Sequence, residues 1–124
     1  MVKKEHQMIC QRISRISPYI RFVGVIGTKG KLLAYYRRPN FKPLLDARKT
    51  HNQFSNIAIS TGLDAVFDKE LGETLFVWEE RKKVQTISFK VKKNRVWVSI
   101  DRKVVRSEML RIIDACLPIV KFYS

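Results

Sequence analysis

At 124 residues, 45% of them hydrophobic, the chain is long enough for one compact core and too short for two ordinary domains, so residues 1–124 are expected to form a single domain. No apolar run approaches the roughly 18 residues that span a bilayer, and residues 1–7 lack the apolar core and cleavage site of a secretory signal, so a cytoplasmic protein without membrane insertion is expected. A net charge of +14 repels other basic surfaces and directs the protein towards an acidic partner.

Ile9, Ile13, Ile16 and Ile20 recur at helical spacing until Ser17-Pro18 stops the pattern, which predicts a first helix over 2–16. Two apolar, β-rich runs then flank Thr28-Lys29-Gly30-Lys31, a polar turn in which glycine makes positive φ cheap. They predict a hairpin with strands over 20–26 and 31–36. The loop 37–43 is held open by Pro39 and Pro43. Residues 46–71 contain no proline and set Phe54, Ile57, Ala58, Ala65 and Val66 close to one face, predicting a single long helix that stops at Gly72. Gly62 within it forms a strip of small residues with Ala58 and Ala65, suited to another helix or to the sheet. Strands are expected over 73–80, 84–92 and 95–101. In the last of these Val96, Val98 and Ile100 alternate with Arg95, Trp97 and Ser99, so Trp97 faces away from the valines and needs a helix to cover it. The final helix is expected to start near Ser107 as its cap and to carry the stripe Met109, Ile112, Ile113, Cys116, Leu117 and Val120, with Pro118 weakening its last turn.

Charge is segregated along the chain. Residues 1–45 are basic apart from Glu5, 46–80 are mainly acidic, and 81–106 are basic apart from Asp101. Tyr35-Tyr36-Arg37-Arg38 with Phe41-Lys42 combines phosphate-pairing cations with stacking rings, while Lys82-Lys83 and Lys92-Lys93 with Arg95 lie at opposite ends of the fourth strand. Arg37, Arg38, Lys42, Lys82, Lys83, Lys92, Lys93 and Arg95 are therefore the candidate basic surface. Hairpin tips also carry lysine for solubility alone, and no recognised nucleic-acid motif is present.

The sequence FVGVIGTKGKLLAYY, the proline-free stretch 46–71 and the end VWVSIDRKVVRSEMLRIIDACL together resemble the roadblock light-chain family. That resemblance implies an α+β, profilin-like fold of order α-β-β-α-β-β-β-α, a five-stranded antiparallel sheet between one long helix and two terminal helices. It also implies a non-enzymatic scaffold that dimerises through the long helix and the edge strand beside it, at Phe54, Ile57, Gly62 and Trp78, and that binds small GTPases. The strong basic charge departs from that family's usual pattern. More closely, IRFVGVIGTKGKLLA, KPLLDAR and FDKELGE resemble an uncharacterised family of small archaeal proteins from ammonia oxidisers.

Catalytic motifs are missing from the sequence. The Gly24-x-x-Gly27-x-x-Gly30 series lies in a strand and its turn and does not open a helix, so hairpin geometry explains it better than phosphate binding. Cys10 and Cys116 have no ligand-like spacing to His6 or His51. They read as buried reduced thiols, with a bond between them open if the terminal helices meet. Asp64, Asp68, Glu79 and Glu80 read as solvated acids rather than general bases or cation ligands. No catalytic, cofactor-binding or metal-binding residue is assigned. The expected function is a dimeric interaction module with a basic surface for an acidic partner, a small GTPase or signalling protein, and the alternative is a small nucleic-acid-binding protein. A ligand sensor is a third option, since profilin-like sheets can cup ligands, but no polar cluster in the sequence points to a pocket.

Overall fold

The computed structural model describes residues 2–124. Helix α1 (Val2–Ser14) leads into the hairpin β1 (Ile20–Ile26) and β2 (Leu32–Arg37). Helix α2 (Ala47–Asp64), a 3-10 turn (Ala65–Phe67) and the short α3 (Asp68–Leu71) follow. The meander β3 (Val77–Glu80), β4 (Val84–Val91) and β5 (Asn94–Asp101) then precedes α4 (Arg106–Tyr123). The strands form one antiparallel sheet of order β2-β1-β5-β4-β3. This is the expected α+β architecture and element order.

Alternation along the strands decides what each face of the sheet packs against. Val23 and Val25 of β1, Ile87 and Phe89 of β4, and Val96, Val98 and Ile100 of β5 point to one face. There they meet Ile9 and Ile13 of α1 and Met109, Ile112 and Cys116 of α4 in the main core. Gln85 is also buried in this layer and satisfied at both ends of its amide. Its Nε2 donates to the Val104 carbonyl at 2.7 Å, and its Oε1 accepts from the Trp78 indole at 3.2 Å. The opposite face holds a thinner cluster of Phe22, Ile26 and Phe54, extended by Leu32, Ile57 and Trp97. Trp97 does face away from the valines, and α2 covers it through Phe54, whose ring meets the indole edge-on at 5.9 Å.

Several boundaries differ from the sequence reading. The stretch 46–71 is not one helix. Asp46 caps α2 by accepting the Lys49 N–H at 2.8 Å, and the regular helix ends at Asp64. Just before that end, Gly62 weakens the helix and the Thr61 hydroxyl takes the Ile57 carbonyl at 2.7 Å, two features that loosen the ladder. Gly72, at φ 82°, supplies the final stop. Strand β3 begins at Val77 rather than at 73, because only Val77–Glu80 find partners on β4. Helix α4 has its capping position at Val105, two residues earlier than the expected Ser107, and Ser107 makes no cap. Pro118 is exposed and α4 continues past it to Tyr123, since water can reach the carbonyl that the ring leaves unbonded.

Gly30, at φ 81°, sets the tip of the β1–β2 hairpin against α2. A Cβ there would lie 2.9 Å from the Ser55 Cα and 3.0 Å from the Ser55 N, both backbone atoms that cannot swing aside. Gly30→Ala therefore combines left-handed strain with a clash and is expected to lower stability by about 1–3 kcal/mol. A urea midpoint equal to that of the wild type would refute this.

Cys10 and Cys116 are both fully buried and both free thiols, with the helices that carry them packed together. Burial pushes each thiol up to about 12. The thiolate is the reactive form, so neither cysteine is expected to react with iodoacetamide at pH 8 while the fold persists. Both should react in denaturant, and mass spectrometry would count the adducts.

Candidate functional site

Beyond the apolar cluster of Phe22, Ile26, Leu32 and Trp97, the sheet face under α2 carries short polar side chains. Thr86 of β4 and Ser99 of β5 lie on it beside Phe22 and Trp97, and their short side chains cannot fill the space beneath the N-terminal half of α2. The result is an open cleft of about 720 Å³. Its walls are α2 from Lys49 to Asn56, the loop from Phe41 to Leu45, and the β3–β4 turn Arg81-Lys82-Lys83. Every charged residue on these walls is basic.

Several of the cations are held in place. Arg21 donates to the Lys42 carbonyl at 2.7 Å and lies over the Phe41 ring, 5.2 Å from its centroid. Arg37 stacks over Phe22 at 5.0 Å. Such cation–π contacts fix a guanidinium without neutralising it. Arg81 is paired with Glu79 at 3.0 Å, whereas no ion pair is found for Arg21, Arg37, Lys42, Lys49, Lys82 or Lys83 among the described residues.

The basic residues named from the sequence thus divide. Arg37, Lys42, Lys82 and Lys83 meet at the cleft. Lys92 and Lys93 sit in the β4–β5 turn at the far end of β4, where Lys92 approaches Glu5 at 4.0 Å. Arg38 is a structural residue. Its guanidinium donates to the carbonyls of Ile20 and Ser14, each at 2.7 Å, and of Ser17 at 3.2 Å, which ties the turn after α1 to β2. Arg38→Ala would orphan those carbonyls at a cost of about 2–3 kcal/mol, read as a lower urea midpoint; an unchanged midpoint would remove this role.

Arg95 is not on the surface either. Its place in the β5 alternation puts it with Trp97 and Ser99 beneath α2, where it is buried. Its Nε donates to the Thr61 hydroxyl at 3.1 Å, and its Nη1 has no hydrogen-bond partner among the described residues. Burial lowers its pKa, and the charge of Asp64 partly opposes the shift. The residues that the sequence reading missed, Arg21 and Lys49, carried a weak signal. Arg21 precedes a strand residue of the cleft floor, and Lys49 lies in the first turn of α2.

The four residues expected at a dimer surface from the family resemblance are placed as follows. Phe54 is the buried residue of α2 and turns to the sheet, and Ile57 packs beside it. Trp78 pairs with Ile87 and packs on the main core, on the face opposite α2. Gly62 alone of the four is fully outward, with nothing within 4 Å of an added Cβ. The outer side of α2 instead carries Ile59 and Leu63, continued by Val66 and Phe67 in the 3-10 turn and by Leu71, Leu75 and Val77 towards β3. Leu63, Val66 and Leu71 are 64%, 69% and 80% exposed. Spacing of four and three residues from Ile59 through Leu63 to Val66 was legible as a second apolar stripe. Among the described residues no cluster of His, Cys, Asp and Glu could hold a metal ion, His6 instead lying 3.4 Å from the Asn94 amide. No helix among them is long and apolar enough to cross a membrane.

The backbone has close counterparts among solved structures. A roadblock/LC7 domain from Streptomyces avermitilis superposes with a TM-score of 0.67 at 10% identity, over 94% of this chain and 92% of that one. The fold is roadblock-like. An MglB with a tetrameric arrangement gives 0.65 at 13% identity, covering 98% and 92%. Profilin II of Acanthamoeba castellanii gives 0.56 at 12% identity, covering 91% and 94%, so the roadblock-like fold is also profilin-like. No family model matches the sequence, and no curated protein matches it.

Proposed function

We propose that this chain is a non-enzymatic interaction module of roadblock type. It self-associates through the outer side of α2 and the β3 edge, and it presents its basic end to an acidic protein partner such as a small GTPase. The observation that carries this reading is the run of exposed apolar side chains from Ile59 to Val77, which ends at a strand with one free edge. Large exposed apolar surfaces mark association sites. A second copy of the same face covers both the side chains and the edge. The tetrameric arrangement of the MglB with this fold is in keeping with that reading.

Sedimentation velocity across the micromolar range tests it. A dimer of the 14.6 kDa chain is expected, and a single monomeric species throughout would defeat the self-association. The nucleic-acid alternative loses support from the placement of its residues. Arg38 is tied to three backbone carbonyls, Arg95 is buried, and Lys92 and Lys93 lie at the end of β4 away from the cleft, so the eight residues named from the sequence do not form one surface.

A further inference from the structure

We propose that the cleft beneath α2 binds a small ligand carrying two or more adjacent phosphate groups. The inference rests on the reading of this end as a site for anions and names the anion. Besides the ion-paired Arg81, six cations, Arg21, Arg37, Lys42, Lys49, Lys82 and Lys83, converge on it from five segments, and no acid among the described residues lines it. Like charges gathered around one concavity repel each other, and a multivalent anion placed among them relieves that repulsion.

Three features favour a compact ligand. The volume of about 720 Å³ lies within the range of small-molecule sites, roughly 300–1,000 Å³. Arg21 and Arg37 are already fixed by Phe41, Phe22 and the Lys42 carbonyl, so little side-chain freedom is lost when phosphate oxygens arrive. Guanidinium groups so held suit bidentate contact with phosphate, while the lysines act as point charges. The floor also joins hydroxyl groups, from Thr86 and Ser99, to an aromatic surface from Trp97, and can receive a ring attached to the phosphates.

Calorimetric titration of the full chain at physiological salt, with ATP, inorganic tripolyphosphate, adenosine and a polyglutamate peptide as separate probes, tests the proposal. ATP and tripolyphosphate are expected to bind saturably, one per chain, and adenosine not at all. Equal affinity for the first two means that the phosphate chain alone is read; tighter binding of ATP means that the ring also contacts the floor. Lys82→Glu combined with Lys83→Glu, at exposed turn positions, should weaken binding by about tenfold or more, as should Lys42→Glu in the loop. Lys92→Glu with Lys93→Glu should leave binding unchanged. Absence of saturable binding by either phosphate probe, or equal loss in both lysine pairs, would overturn the site. If polyglutamate binds and the phosphates do not, the phosphate site falls while the acidic-partner reading stands.

Discussion

Leu63→Glu is expected to yield a folded monomer. Leu63 is 64% exposed on the outer side of α2 and takes no part in either apolar cluster, so the isolated chain loses little when it changes. In a symmetric pair the position occurs twice. Burying one leucine is worth about 1.5–3 kcal/mol, and the substitution removes two of them while forcing two carboxylates out of water. The dimer dissociation constant should therefore rise by about a thousandfold or more. Sedimentation velocity reads the mass, and thermal unfolding confirms that the fold is kept. A Leu63→Glu protein that sediments as the wild type does would take this face out of the interface. Charged substitution of Ile57, which the roadblock resemblance implies for the interface, is a poorer probe, since Ile57 packs on the cluster that seats α2.

Phe54→Ala is expected to release α2 from the sheet. Phe54 is the buried residue of that helix, and its ring lies 6.1 Å from that of Phe22 and 5.9 Å from that of Trp97. Truncating a buried phenylalanine costs about 3–5 kcal/mol. Here the loss falls on a cluster with only Phe22 and Ile26 as its other buried members. Amide exchange should accelerate along α2 and Trp97 fluorescence should shift to the red, while the α1/α4 layer, built on the larger core, stays protected. The same change would dismantle the wall of the cleft. Equal exchange in α2 before and after the substitution would show that contacts other than Phe54 hold the helix.

The element order was legible because it rests on local periodicity, and the α+β sheet architecture was what the resemblance to the roadblock family implied. Alternation in β5 placed Trp97 opposite Val96, Val98 and Ile100, and the covering helix is there. The same alternation placed Arg95 beside Trp97, which marks it as an inward residue; its charge alone had suggested the surface. The end of α2 and the start of β3 were misjudged because a helical or alternating pattern persists where neither a ladder nor a partner strand does. Thr61, Gly62 and the limited pairing of β3 with β4 decided those boundaries.

The sequence by itself determined the order of the strands and main helices, the main core, the buried thiols and the excess of positive charge, all of which follow from the types of residue and their spacing along the chain. Only the tertiary structure decided which cations lie together. Arg21, Lys49 and Lys82 are far apart in sequence and meet because the loop after β2, the start of α2 and the β3–β4 turn gather at one end of the sheet. Arg38, next to Arg37 in the chain, is turned inwards to three carbonyls instead. Neighbours along a strand point to opposite sides, so a basic cluster in the sequence becomes a basic surface only where folding brings the same sides together.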